Sequence, residues 1–350
     1  MKILATLGDF SRVQGQLVLV DLLQETWEIR ARLSAPLSFA RVWVKGLLAA
    51  AWNRQGRHIG FIGVWVRGRV FALIQTIGVS PRILHRPDMN DLHHLAIAGE
   101  QLYIANTGLD RIDCYLMNGG YLGGYDLIPA WLGLKRQDIP QHSPEDCFAI
   151  QQLAWTEEAP QSSQAHISSS DAYYQKEVET QPPFHRRRVR DCIHPNHVSC
   201  FGQQLLVTRF RDRCVQDLRN WRIVIDDLPG YPHDGFVQDG RFWLTTTNGY
   251  LLAYAMDALG VTDQLVMQIA LFDRFGHTGW CRGLLVTEDY LIVALTGIYE
   301  RKIVRWCDRT TEQTETSILL IRRNDLSLCA RVNMESVSKQ PKIFTLLPWL

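Results

Sequence analysis

One short unit recurs along this sequence: a pair of polar residues, then two apolar strands that a glycine-containing turn joins. The clearest copy is PHDGFVQDGRFWLTTTNGYLLAY, residues 232–254. In it, His233-Asp234 precedes a strand, an Asp239-Gly240 turn, a second strand and an Asn248-Gly249 turn. Asp-Gly and Asn-Gly between apolar runs are strong hairpin signals. A chain that repeats such hairpins is predicted to be a modular all-β protein.

The copies share a register. In four of them, a leucine or phenylalanine of the second strand comes nine residues after the first polar residue, and a fifth copy, KGLLAAAW, is a weaker match. The polar pairs are Lys45-Gly46, His93-His94, Asn196-His197, His233-Asp234 and Arg282-Gly283. Successive starts at 45, 93, 196, 233 and 282 differ by 48, 103, 37 and 49 residues. Without an insertion of about 55 residues, the longest interval also falls to about 48, which is typical of propeller blades.

Five starts and the N-terminal strands together predict a six-bladed β-propeller as the best count, and five or seven blades stay open. Strands from both chain ends would share the closing blade, which removes exposed sheet edges. Residues 135–190 depart from the pattern, with segments such as EEAPQSSQAHISSSDAYYQ and little apolar periodicity. We therefore expect a single propeller domain over residues 1–350, with 135–190 as a long, partly irregular inserted lid or loop.

Charge and composition exclude several classes of function. Lys plus Arg number 37 and Asp plus Glu 36, so the net charge of +1 gives no general attraction to nucleic acid or to anionic membranes. No stretch approaches the roughly 20 apolar residues of a membrane span, and the N-terminal apolar run is too short for a signal peptide. The eight cysteines form no CxxC pair, which predicts reduced thiols and a cytoplasmic protein. The glycine pairs of NGGYLGGYD lack a strand-to-helix context, so no nucleotide cofactor is expected.

Three segments carry a resemblance to a known family. PHDGFVQDGRFWL, CIHPNHVSCFGQQLLVT and WCRGLLVTEDYLIVAL resemble the six-bladed propellers of the lactonase and strictosidine-synthase-like superfamily. They look closer still to an uncharacterised family of conserved hypothetical bacterial propellers, which has no assigned activity. The resemblance covers roughly residues 91–299 apart from the insertion. It implies the fold, and it implies a calcium site of carboxylate and Asn oxygens, which the histidines of this chain put in doubt.

In a propeller, residues that enter the first strand of each blade converge on the mouth of the central channel, so the polar pairs predict a site there. We expect His197, His233 and Asp234 to carry acid–base catalysis, because histidine titrates near neutral pH. His94, His197 and Asp234 are the candidate ligands of a divalent metal, with Zn, Mn or Fe favoured over Ca by their nitrogen atoms. The predicted substrate-binding residues are Arg282 and Lys45, as clamps for a carboxylate or phosphate, together with Asn196 and His93.

The predicted function is an enzyme of the hydrolase, lyase or isomerase type. It would act on a small, anionic metabolite or a modified peptide, by metal-assisted or His/Asp acid–base chemistry. The alternative is a non-catalytic binding or scaffold propeller that docks a partner protein, with the insertion as the candidate docking segment. A structural role is also open for each polar residue, since such residues commonly fix neighbouring blades by hydrogen bonds. Cys192, His194, His197 and Cys200 have the ligand types of a zinc site but not a known spacing.

Overall fold

The computed structural model describes residues 1–9, 15–34, 44–52, 58–65, 70–76, 82–84, 86, 89, 92–128, 154–157, 192–298, 314–338 and 341–349. Within residues 31–83 and 154–157 it describes the backbone alone. The described strands form five antiparallel sheets.

Sheet 1 is the largest and joins the two ends of the chain. Its nine strands are β1 (Lys2–Asp9), β2 (Gly15–Asp21), β3 (Thr26–Ser34), β4 (Val44–Trp52), β5 (His58–Trp65), β6 (Val70–Thr76), β7 (Arg82–Leu84), β12 (Ala154–Glu157) and β25 (Pro341–Pro348). The first strand pairs with the last one, from Ile3 opposite Pro348 to Asp9 opposite Pro341. The predicted pairing of the two chain ends is confirmed.

The other four sheets have four strands each, in sequence order. Sheet 2 contains β8 (Leu92–Ala98), β9 (Gln101–Asn106), β10 (Arg111–Leu116) and β11 (Tyr121–Asp126). Sheet 3 contains β13 (Pro195–Phe201), β14 (Gln204–Arg209), β15 (Cys214–Asp217) and β16 (Arg222–Ile225). Sheet 4 contains β17 (Pro232–Gln238), β18 (Arg241–Thr246), β19 (Tyr250–Asp257) and β20 (Gly260–Ala270). Sheet 5 contains β21 (Trp280–Val286), β22 (Tyr290–Thr296), β23 (Ser317–Arg322) and β24 (Leu328–Asn333).

Helical structure in the described residues is limited to short segments. These are the α-helix α1 (Leu271–Phe275) and the 3₁₀ turns Thr107–Leu109 and Glu335–Val337. In the part of the chain that is described, no helix is long and apolar enough to cross a membrane.

The protein is an all-β propeller of five blades, and the prediction of six blades is wrong. Sheet 1 holds two groups of strands that the sequence analysis counted as separate blades. They join because Gly8 of β1 pairs with Gly46 of β4, so that β1 has both β4 and β25 as neighbours. The resemblance to a six-bladed superfamily is contradicted by the same blade count.

The first strands of the repeats surround the channel, as predicted from the register. Strands β4, β8, β13, β17, β21 and β25 each contact the next, and β25 contacts β4, which closes the ring. Sheet 1 contributes two members of this ring, β4 and β25, and each of the other sheets contributes one. A count of the channel-lining strands in the sequence therefore gives six, which is one more than the five sheets of the structure.

Apolar side chains fill the space between neighbouring sheets. Between sheets 4 and 5, for example, Trp243 and Leu251 pack with Leu291, Val293 and Leu319, all buried. In β22, six of the seven residues are buried, because a blade packs against its neighbours on both faces. This two-sided burial explains why such strands are continuous apolar runs in the sequence.

Candidate functional site

The polar pairs of the repeat lie at β-bulges in the channel-lining strands. The strand register shifts at the pair in β4, β8, β13, β17 and β21. A sixth shift lies in β25, where Ile343 and Thr345 oppose consecutive residues of β1 and Phe344 is extra. A bulge inserts one residue and turns side chains away from strict alternation, which is why bulges are frequent at functional sites. The register found in the sequence thus marks one structural position around the channel.

His94 and His197 bring sheets 2 and 3 together at this position. Their imidazole rings stack with centroids 3.6 Å apart and planes inclined by 29°. Nδ1 of His94 accepts a hydrogen bond of 3.4 Å from the backbone N–H of Val198. This bond leaves the proton of a neutral His94 ring on Nε2.

Sheet 4 adjoins the stacked rings through the bulge of β17. A Cβ atom at residue 235 would lie 3.0 Å from Nδ1 of His197, so the glycine present there permits the close approach. The sequence at this point is His233-Asp234-Gly235, and both His233 and Asp234 are buried. Nδ1 of His233 lies 3.4 Å from Oδ1 of Asp234.

The Asp234 carboxylate is held in place by two further groups. Thr245 Oγ1 donates a 2.5 Å hydrogen bond to Oδ2, and the backbone N–H of Gly283 in β21 donates a 3.0 Å bond to Oδ1. The second bond connects sheets 4 and 5. Asp234 has a left-handed backbone with φ of 63°, a conformation that Asp tolerates better than most residues. Asp234 is therefore fixed beside His233, and it has a structural role in addition to any chemical one.

After sheet 4, the next channel-lining strands are β21 of sheet 5 and β25 of sheet 1. These two strands carry cationic and aromatic side chains. The Arg282 guanidinium lies 5.1 Å from the ring centroid of Trp280 and 5.4 Å from that of Phe344. Nζ of Lys342, a buried residue, lies 5.2 Å from the Trp280 centroid. Arg282 and Lys342 thus share one indole, and contacts of this kind stabilise cations near aromatic faces.

The electrostatics of the cluster favour neutral imidazoles. Burial lowers the pKa of His94 to about 3, although the Asp234 carboxylate acts in the opposite direction. Burial also lowers the pKa of His197 far below its usual value, and the neighbouring His94 and His233 lower it further. For His233, burial lowers the pKa, the Asp234 carboxylate opposes this effect, and the Arg282 charge adds to it. The site therefore combines neutral histidines, one carboxylate and one guanidinium.

The structure brings five of the predicted site residues together. His94, His197, His233, Asp234 and Arg282 form the contiguous set that the contacts and charge interactions above define, and we call this set the channel cluster. The ring of His93 contacts a different histidine, with its centroid 4.8 Å from that of His194 in an edge-to-face arrangement.

Asn196 and Lys45 are the remaining predicted residues. Asn196 is buried and its Nδ2 donates a 3.4 Å hydrogen bond to the carbonyl of Pro232, so it links sheets 3 and 4. Lys45 lies at the bulge of β4, but its side chain is outside the described residues. Their assignment to substrate binding, like that of His93, stays a prediction.

The predicted metal ligands do not fit an ion in this arrangement. The stacked rings of His94 and His197 lie face to face, and Asp234 uses both carboxylate oxygens for hydrogen bonds within the protein. Over the described residues, no group of three or more His, Cys, Asp and Glu side chains is placed to hold a metal ion. This arrangement therefore does not support a metal-assisted reaction.

Sequence reasoning missed four residues around the cluster: Thr245, Trp280, Lys342 and Phe344. Thr245 is one residue before the end of β18 and is the first of three consecutive threonines, which gives no functional signal. Trp280 precedes the polar pair of β21 by two residues. Lys342 and Phe344 belong to β25, whose sequence KIFTLL lacks the polar pair of the other copies. Only an alignment of KIFTLL with the bulge segments of the other copies would have identified Lys342 and Phe344.

Comparison with known proteins supports the fold alone. No protein-family model matches the chain, and no match was found among curated proteins. Among solved structures, a protein of unknown function from Bacteroides caccae is 11% identical with a TM-score of 0.56, over 99% of this chain and 98% of that one. A putative 6-phosphogluconolactonase from Bacteroides uniformis is 12% identical with a TM-score of 0.46, over 94% and 81% of the two chains. The periplasmic gluconolactonase of Pseudomonas aeruginosa is 12% identical with a TM-score of 0.47, over 96% and 84%.

Proposed function

We propose that the protein is an enzyme that acts on a small anionic metabolite, or on a modified peptide with an anionic group, at the channel cluster. His233 would transfer a proton to and from the substrate, and Asp234 would stabilise the imidazolium that forms. Arg282 would bind the anionic group. Hydrolysis of a cyclic ester, elimination by a lyase and isomerisation all require such a proton transfer, so this site fits each of the three reaction classes.

The observation that carries this proposal is the distance of 3.4 Å between Nδ1 of His233 and Oδ1 of Asp234, with Arg282 near enough to act on the pKa of that histidine. A general base must be unprotonated when the substrate arrives, and the lowered pKa of His233 supports this state at neutral pH. The Asp234 carboxylate oxygen beside Nδ1 would hold the His233 ring in the orientation that a general base needs. The two atoms do not form a hydrogen bond in this structure, but base–carboxylate pairs are often long or poorly aligned before substrate binds and tighten in the complex.

The cations next to His233 support an anionic substrate. Arg282 is only partly exposed, and its guanidinium lies near two aromatic rings, 5.1 Å from the Trp280 centroid and 5.4 Å from the Phe344 centroid. Lys342 on the same indole adds a second positive charge. A guanidinium that is held in place loses little conformational freedom when it binds a carboxylate or phosphate.

A substrate panel tests the proposal. The wild type would be assayed against lactones, hydroxy acids and esters that carry a carboxylate or phosphate, and against their uncharged analogues. We expect turnover of anionic compounds only, with a KM at least tenfold higher in Arg282→Gln and unchanged in Arg222→Gln, where an exposed arginine of β16 is altered. Turnover of the uncharged analogues, or equal KM values in the two variants, would overturn the anion clamp.

A binding or scaffold propeller is the second candidate, and one observation favours it. The indole of Trp221, between sheet 3 strands β15 and β16, is 51% exposed and lies 6.3 Å from the ring of Tyr125 in sheet 2. Exposed aromatic residues of this kind are common in protein interfaces. If the panel yields no turnover while Trp221→Ala weakens a protein complex, this candidate replaces the enzyme.

The remaining parts of the proposal concern location and partners. The six described cysteines, Cys114, Cys192, Cys200, Cys214, Cys281 and Cys329, are all free thiols, which supports a reducing, cytoplasmic location. The partner is a small molecule or peptide rather than nucleic acid or membrane, and no nucleotide cofactor takes part. The predicted lid and protein-docking role of residues 135–190 lies outside the described residues, apart from β12, whose backbone pairs with β3.

A further inference from the structure

A cleft lies at the opposite end of β17 from His233, between sheets 4 and 5. Its volume is about 440 Å³, within the range of small-ligand sites. The lining residues include Arg241 and Met267 of sheet 4 and Glu288, Asp289 and Tyr290 of sheet 5. This cleft shares no residue with the channel cluster.

Arg323 lines the cleft and forms several hydrogen bonds there through one of its guanidinium nitrogens. Its Nη1 donates to Asp239 Oδ2 at 2.6 Å, to the carbonyl of Thr287 at 2.6 Å and to that of Glu288 at 2.9 Å. The guanidinium also lies 5.5 Å from the centroid of the buried Trp243 ring. Arg323 and Asp239 thus neutralise each other and hold the two sheets together. The hydrogen bond from Arg323 also lowers the pKa of Asp239.

The charges outside this pair include Arg241 on sheet 4, which also lowers the pKa of Asp239, and Glu288, Asp289 and Arg322 on sheet 5. Arg241, at the start of β18, lies 6.0 Å from the Trp243 centroid and donates no side-chain hydrogen bond to any described residue. Glu288 and Asp289 form the turn between β21 and β22 and are exposed. Within the described part of the chain, their carboxylates accept no hydrogen bond and form no ion pair. Arg322 forms only a loose ion pair of 3.7 Å with Asp325.

Apolar side chains lie between these charged groups. Met267 and Tyr290 are half-buried, and Leu291 is buried behind them. A ligand that complements the cleft therefore needs an anionic end for Arg241, a cationic end for Glu288 and Asp289, and an apolar middle. We infer that the cleft binds a short zwitterionic peptide, with its terminal carboxylate at Arg241 and its terminal ammonium at Glu288 and Asp289.

The test uses dileucine and trileucine as probes, with matched peptides that are N-acetylated or C-amidated. Binding to the full-length protein would be measured by calorimetry. We expect at least one free peptide to bind, and each blocked form to bind about tenfold more weakly, since a charge-assisted hydrogen bond is lost in each case. Amidation should have no effect in Arg241→Gln, and acetylation should have none in a Glu288→Gln, Asp289→Asn double variant.

The control is Arg222→Gln, because Arg222 is an exposed arginine on sheet 3 and lies outside the cleft. This variant should bind every peptide as the wild type does. The inference is overturned if neither free peptide binds, if blocking the termini does not change affinity, or if the cleft variants respond to blocking as the wild type does. The altered side chains in the cleft are exposed or half-buried, so the variants are expected to fold, and circular dichroism would confirm this.

Discussion

The imidazole rings of His94 and His197 stack at 3.6 Å across the boundary between sheets 2 and 3. Two charged rings could not remain in such contact away from water, so the stack requires at least one neutral imidazole. The stability of the propeller therefore depends on the protonation state of these two histidines.

Acid should destabilise the protein through these histidines. The pKa of His94 is about 3 in the folded protein and about 6.5 in an unfolded chain. Between these two pKa values, the unfolded chain binds a proton that the folded protein does not bind. The stabilisation of the folded protein by neutral His94 is therefore complete above pH 6.5 and is lost as the pH falls. Between pH 7 and pH 5, we expect the wild type to lose about 2 kcal/mol more of its free energy of unfolding than His94→Gln does. Urea unfolding at both pH values measures this difference, and equal losses would contradict it.

Replacement of Asp234 should separate its structural role from its charge. Asp234→Ala removes the acceptor for Thr245 Oγ1 and for the Gly283 N–H, both in buried surroundings, and should cost about 2–4 kcal/mol. Asp234→Asn retains one acceptor oxygen and tolerates the left-handed backbone, so it should cost about 1–2 kcal/mol. Urea denaturation of both variants measures the difference. Equal costs would mean that the two hydrogen bonds contribute little.

Asp110 should be the carboxylate that fixes the entry into sheet 3. Its oxygens accept hydrogen bonds from the backbone N–H groups of Cys192, Ile193 and His194, at 2.9, 3.1 and 2.8 Å. An amide at this position would direct N–H groups at backbone donors, so Asp110→Asn should cost about 2–3 kcal/mol. The exposed Asp126 is the matched control, and Asp126→Asn should change the free energy of unfolding by less than about 0.5 kcal/mol. Similar values for the two variants would refute this role.

Two glycines with left-handed backbones offer a test of packing in sheet 4. At Gly249, with φ of 92°, an added Cβ would lie 2.5 Å from the ring of Phe272. At Gly240, with φ of 64°, nothing lies within 4 Å of an added Cβ. Gly240→Ala should cost about 1 kcal/mol from backbone strain alone. Gly249→Ala should cost about 3 kcal/mol or more, because Phe272 must also move. Thermal unfolding would show whether the two variants differ as expected.

The repeat register was readable from the sequence because five of the six bulges have a polar residue followed by a polar residue or glycine at the same place. Five copies of this pattern identified the propeller and located His94, His197, His233, Asp234 and Arg282 on one ring. The contact between Gly8 and Gly46 could not be read in this way, because a single backbone pair leaves no side-chain signature. The blade count was wrong for that reason.

The chemistry of the cluster was harder to predict than its position. Residue types suggested that His94 and His197 bind a metal, but the two rings instead stack on each other. Which way a side chain turns at a bulge depends on the next sheet, and a sequence pattern does not contain this information. The phenylalanine and lysine of β25 were missed because that strand departs from the polar pair of the other copies.

The most direct test of the acid–base account is the turnover number of His233→Gln on the best anionic substrate, at pH 7 and saturating substrate. Glutamine retains a hydrogen-bonding side chain of similar size but cannot transfer a proton. The account predicts a loss of about 10²- to 10⁴-fold in kcat, the usual contribution of general acid–base catalysis, with the fold intact by circular dichroism. A folded variant whose kcat stays within a factor of two of the wild type would contradict it.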